Sequence, residues 1–181
     1  MWCMKESIWL CLTEINDCLP EWLYWMLLGV FCLGILLIIL FRKANDGWRL
    51  ASGLLLLEYV FLIYSVTVIF RGTMAEHKYR LIPFWGYRLL IEEGKTLCVY
   101  SNFWNILALV PVGFLMGISF KKTESKTVLL IGMLMSISIE VLQFVLMRGF
   151  AELDDVIHNT GGCMIGYGLY CLVTRIWKKA K

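Results

Sequence analysis

The sequence predicts an all-α fold, a polytopic helical membrane protein with about five transmembrane helices and an N-terminal amphipathic helix. Three observations predict it. Of 181 residues, 60% are hydrophobic and only 17% are charged, against about 25% charged in a soluble domain. Mean hydropathy is +0.72. The apolar residues are gathered into runs of roughly 20, the helical length that crosses a bilayer. Together these exclude a disordered tail, a secreted disulfide scaffold and an ordinary cytosolic enzyme.

The segments follow in order. Residues 1–20 form an interfacial segment. In it Ile8, Leu12, Ile15 and Leu19 recur at helical spacing, giving an amphipathic helix on the membrane surface. Pro20 ends that helix. Residues 21–181 form the transmembrane domain, with spans over 22–41, 50–70, 103–120, 128–147 and 156–177. The first span carries no charge and ends at Arg42-Lys43. The second carries one acid, Glu58, near its middle. The third contains Asn105 and Pro111, and the proline frees the Leu107 carbonyl and favours a kink. The fourth contains Glu140 and Gln143. The fifth opens beside Asp154-Asp155 and is rich in glycine. The long connection 71–102 carries Pro83-Phe84-Trp85-Gly86-Tyr87 and suits a short surface or re-entrant helix.

Net charge is +3, from 17 Lys and Arg against 14 Asp and Glu, a balance that does not suggest nucleic acid. The placement of the cations says more. With the N-terminus outside, Arg42–Arg49, Lys121–Lys126 and the tail from Arg175 hold ten of the 17 Lys and Arg in short inner segments. The positive-inside rule therefore predicts a multi-pass cell-membrane protein, N-terminus out and C-terminus cytoplasmic. Seven cysteines, odd in number and without a CxxC, read as packing residues in helices. His77 and His158 match no metal spacing, and neither a metal nor a cofactor is expected.

The polar residues of the spans fall at one pole. A charge exposed to hydrocarbon costs at least a few kcal/mol, so each must face protein or water. Glu140 is eight residues before Arg148, about 12 Å deep at ~1.5 Å per residue. Glu140 and Gln143 are i,i+3 neighbours, and Asp155 and Asn159 are i,i+4 neighbours. The Asp155 stripe continues through Gly162 and Gly166, a small face that admits a neighbouring helix closely. Asp154 points about 100° away. The candidate ligand-binding set is Arg80, Asn105, Glu140, Gln143, Arg148, Asp154, Asp155 and Asn159. Each has a structural alternative. Glu140 can pair with Arg148 or Arg80, Asp155 can cap its helix, and the asparagines can bond between helices.

These residues resemble a known family. Asn105-Ile-Leu-Ala-Leu-Val-Pro111-Val-Gly113-Phe114 is similar to the NxLxxxPxGF segment of VanZ-like membrane proteins. Ser138-Ile-Glu140-Val-Leu-Gln143 resembles their SxxExxQ helix. Asp154-Asp155 through Asn159-Thr160, Gly162, Gly166 and Tyr167 resembles their DDxxxNTxGxxxGY signature. Arg80-Leu-Ile-Pro83-Phe84 resembles their NLxPF element, with Arg80 in place of Asn. Glu152 stands where Asp is usual, and Gly161 where Leu is more common.

The family's founding member is associated with low-level teicoplanin resistance. The resemblance therefore implies a Gram-positive membrane protein that lowers susceptibility to lipoglycopeptides. It would act at the outer leaflet on the drug or on a lipid-linked peptidoglycan precursor, with Arg80 and Arg148 meeting phosphate or carboxylate groups. Two alternatives remain open. One is an intramembrane hydrolase or transferase on a lipid-linked substrate, with Glu140 as general base and the Asp154/Asp155 pair, Asp155 foremost, in catalysis. The other is a structural or accessory subunit of a membrane complex. No reaction, oligomeric state or partner for Glu58 follows from the sequence.

Overall fold

The computed structural model describes residues 21–40, 47–94 and 97–179. The amphipathic segment expected over 1–20 lies outside them. Six helices and two short strands make up the described chain. They are α1 (Glu21–Leu40), α2 (Gly47–Tyr64), β1 (Lys78–Arg80), α3 (Trp85–Glu93), α4 (Leu97–Ser119), α5 (Ser125–Val145), β2 (Phe150–Glu152) and α6 (Leu153–Lys179). Each of the five predicted apolar segments lies on a long helix, so the chain is an all-α membrane protein.

The boundaries and the count differ in two places. Among the described residues, three helices are long and apolar enough to cross a membrane: Gly47–Ile69, Val99–Ser119 and Ser125–Val145. The fifth predicted span lies on α6, which has the length at 27 residues. Its glycines, His158 and Asn159 dilute its apolarity. The third segment begins at Leu97 rather than 103. Hydropathy does not register the extra turns because Ser101 and Asn102 are polar, although they continue the helix. The helix also runs through Pro111.

The tightest packing joins α4 and α6, and its cause is the absence of side chains. A Cβ on Gly162 would overlap the carbonyl oxygen of Ile106, and one on Gly166 that of Val110. From the other side, a Cβ on Gly113 would overlap the Cys163 carbonyl. Glycine on both helices thus brings backbone against backbone, where dispersion attraction is strongest. Gly132 of α5 makes room for the Cys163 side chain. Leu109, Val112, Met116, Val128 and Ile139 complete a core around this seam.

The other helices join through polar atoms as well as apolar contact. Tyr59 of α2 donates its hydroxyl to the Ala108 carbonyl of α4 at 3.0 Å. The hydroxyls of Ser52 and Ser119 lie 3.1 Å apart. Tyr167 of α6 donates to the Thr123 carbonyl at 2.6 Å. Gly34 of α1 sits against the Leu55 side chain. Leucines and isoleucines cover the outward faces; Leu129, Leu130, Leu134 and Val141 are exposed on α5 alone. Such a surface is stable against lipid and unstable against water.

Two local features set the geometry of one pole. The α2 helix ends in a π-helical turn, Ser65–Ile69, in which Phe70 N–H reaches back five residues to Ser65 O. Ser65 and Thr67 hydroxyls each bond the carbonyl four residues back, at 2.8 and 2.7 Å, a competition that loosens regular helix. The second feature is a parallel pairing of β1 with β2, with Arg80 opposite Glu152. It ties the long connection after α2 to the turn between α5 and α6.

Candidate functional site

A polar cavity of about 180 Å³ opens at this pole. Thr67, Arg71, Ser101, Asn105, Glu140, Gln143, Glu152, Asp155 and Asn159 supply its polar lining. Five of these belong to the sequence-derived set: Asn105, Glu140, Gln143, Asp155 and Asn159. Three helices, α4, α5 and α6, bring these five together. At ~30 Å³ per water the volume holds about six water molecules.

Each side chain is held by a specific partner. Glu140 is 7% exposed, and its Oε2 accepts the Glu152 backbone N–H at 2.8 Å. Gln143 is 3% exposed, and its Nε2 donates to the Thr67 carbonyl at 3.1 Å. Its Oε1 finds no donor among the described residues. Asn159 donates Nδ2 to Ser136 Oγ at 3.0 Å, and Ser136 donates to the Asp155 carbonyl at 3.4 Å. The Asn105 amide stands beside the Asp155 carboxylate. Arg71 lies within electrostatic reach of Glu140, Glu152 and Asp155.

Burial pushes the Glu152 carboxyl above its ordinary value, more than Arg80 and Arg71 pull it down. Three carboxyl groups facing one guanidinium make the chamber rich in acceptors and poor in positive charge. Buried carboxylates are tolerable only where water or partners solvate them, and the cavity provides that room.

The remaining candidates sit elsewhere. Asp154 does not line the cavity. It is 2% exposed, and its two carboxylate oxygens accept the backbone N–H groups of Phe84 and Gly86. Phe84 adopts a left-handed conformation, φ 59°, that an L side chain rarely takes. Asp154 therefore holds the Pro83–Gly86 turn and the start of α3. Its helical neighbour His158 extends the lock. The Asp154 carbonyl, 2.5 Å from His158 Nδ1, can only accept, so Nδ1 carries the proton. Nε2 then accepts from the Tyr87 hydroxyl at 2.9 Å.

The two arginines are also occupied. Arg148 donates Nη1 to the Val68 and Ile69 carbonyls, capping the groups that the π turn leaves unpaired. Arg80 pairs with Glu152 at 3.4 Å and lies over the Trp85 and Phe150 rings at 5.4 and 5.6 Å. Both arginines, which the resemblance implies meet phosphate or carboxylate groups, thus have protein partners. Glu58 is remote from this pole and faces the Phe31 backbone of α1.

Sequence reasoning missed Arg71, Thr67, Ser101 and Glu152 as lining residues. Thr67 and Arg71 are i,i+4 neighbours at the end of an apolar run, a signal that was present. Ser101 and Glu152 carry no such signal, because helix extension and strand pairing place them. Among the described residues no group of three or more His, Cys, Asp and Glu could hold a metal ion.

The fold and the chamber define a class, a small helical membrane protein with a small polar pocket at one end of its bundle. The chain belongs to the VanZ/LLP1 family, whose model matches residues 54–174, the stretch from mid-α2 to near the end of α6. It is 26% identical over 139 residues to Protein VanZ of Enterococcus faecium, across 75% of this chain and 82% of that protein. No solved structure matches it.

Proposed function

We propose that this protein lowers susceptibility to lipoglycopeptides of the teicoplanin type, acting at the outer leaflet with its N-terminus outside and its C-terminus in the cytoplasm. The observation that carries this reading is the convergence of Asn105, Glu140, Gln143, Asp155 and Asn159 on one chamber. The cation distribution favours placing that pole outside. At about 180 Å³ the chamber is below the roughly 300–1,000 Å³ of a drug-sized site. It therefore receives one polar group of a larger molecule, whether drug or lipid-linked precursor. Deleting the gene in its host and measuring teicoplanin susceptibility tests the reading. Susceptibility should rise, and wild-type but not Glu140→Gln should restore the original level. No change on deletion overturns it.

A second reading is favoured by two carboxyl groups, Glu140 and Asp155, in so small a chamber. In it Glu140 is the general base of a hydrolase or transferase on a lipid-linked substrate. Product from purified protein and lipid-linked precursor, abolished by Glu140→Gln, would establish it. Binding without turnover would leave the first reading alone.

A further inference from the structure

The chamber has an apolar neighbour. A groove of about 430 Å³ is lined by Tyr79, Leu81, Ile137, Val141, Phe144 and Val156, and at its boundary by Glu140 and Glu152. The same two acids line the chamber, so an oily compartment and a wet one meet at these side chains. The groove falls within the ~300–1,000 Å³ range of small-molecule sites. Ile137 and Val141 of α5 are exposed in it, on a helix apolar enough to cross a membrane. A hydrocarbon chain from the bilayer has direct access.

The chamber's hydrogen-bonding groups select the other end of the ligand. Gln143 Oε1, on a side chain 3% exposed, has no donor among the described residues. It needs an N–H or O–H, whereas Asn105 Nδ2, also without a partner among the described residues, needs an acceptor. A phosphate offers only acceptors and leaves Gln143 Oε1 unmatched. An ammonium offers only donors and leaves Asn105 Nδ2 unmatched. Hydroxyl groups offer both. The geometry points to a phosphate-free glycolipid of the bilayer as the ligand, with its hydrocarbon chain in the Val141 groove and its sugar hydroxyls in the Gln143 chamber. The inference rests on reading the chamber as a ligand site, and not on the drug.

Native mass spectrometry of the full chain in mixed micelles tests it. The probes are monoglucosyl diacylglycerol, phosphatidylglycerol and phosphatidylethanolamine with identical acyl chains. The glycolipid should be retained about tenfold better than either phospholipid, the ratio that ~1.4 kcal/mol of matched hydrogen bonding supports. Gln143→Leu, which removes the acceptor, and Val141→Trp, which fills the groove, should each abolish the preference. Circular dichroism checks that both variants fold. Equal retention of the three lipids overturns the inference, as does a preference that survives Gln143→Leu. Free glucose binding as well as the glycolipid overturns the role of the groove. A glycolipid preference in a protein whose deletion leaves teicoplanin susceptibility unchanged supports the lipid site and removes the drug reading. The reverse pattern does the opposite.

Discussion

Glu140 Oε2 accepts the backbone N–H of Glu152 at 2.8 Å, across 12 residues of chain. One carboxylate thus both faces the chamber and fixes the strand that closes it. The two roles separate by substitution. Glu140→Gln keeps an acceptor for Glu152 N–H and removes the charge. Glu140→Ala strands a buried donor, at about 1–3 kcal/mol. Thermal unfolding in detergent should place Glu140→Gln near wild type and Glu140→Ala several degrees lower. The two variants should be alike in losing function. A Gln variant that retains full function would show that the charge is dispensable.

The α4–α6 seam makes an independent prediction. At Gly162 and Gly166 an added Cβ meets backbone, which cannot swing aside, while at Gly161 nothing lies within 4 Å. Gly162→Ala and Gly166→Ala should each cost about 1–3 kcal/mol or more, as overpacking does. Gly161→Ala should be neutral or stabilise the helix by up to about 1 kcal/mol. Melting temperatures of the three variants check this. Equal effects at the three positions would mean that α6 does not pack on α4 through its glycines.

What was legible in the sequence follows from which forces are local. Helical membrane segments need only composition, so each expected apolar run lies on a helix. The Gly162–Gly166 stripe was legible because i,i+4 spacing is a property of one helix; its partner, α4, was not. Asn105, Glu140, Gln143, Asp155 and Asn159 stood out because polar groups in apolar helices must find solvation. Arg80, Arg148 and Asp154 stood out equally, but their partners are Glu152, the π-turn carbonyls and the Phe84–Gly86 backbone. Those contacts span about 70 to 80 residues, beyond any periodicity argument.

Asp154 illustrates the consequence. Its carboxylate holds the Phe84 and Gly86 N–H groups, so it acts on the Pro83 turn. Asp154→Ala leaves the buried Gly86 donor and the part-buried Phe84 donor unpaired and should destabilise by about 1–3 kcal/mol. Asp154→Asn keeps one acceptor and points an amide donor at the other N–H, so it should be intermediate. Limited proteolysis should show cleavage near Trp85 rising in the same order. Loss of activity in Asp154→Asn with an unchanged proteolytic pattern would instead return Asp154 to the ligand set.

Arg71 and Glu152 make the pH prediction. Burial raises the Glu152 carboxyl above its ordinary 4.5, while Arg71 and Arg80 oppose the rise. A carboxyl raised in the folded state binds more protons folded than unfolded, so stability falls with pH between the two values. Its contribution is fully present below 4.5 and is lost as pH climbs through the raised value. Glu152→Gln should therefore flatten the fall in melting temperature across that window. Arg71→Gln removes a cation that favours the ionised form, so the carboxyl rises further and the fall should extend to higher pH. The double variant should resemble Glu152→Gln. Identical pH profiles for wild type and Arg71→Gln would mean that the guanidinium does not govern the chamber's charge.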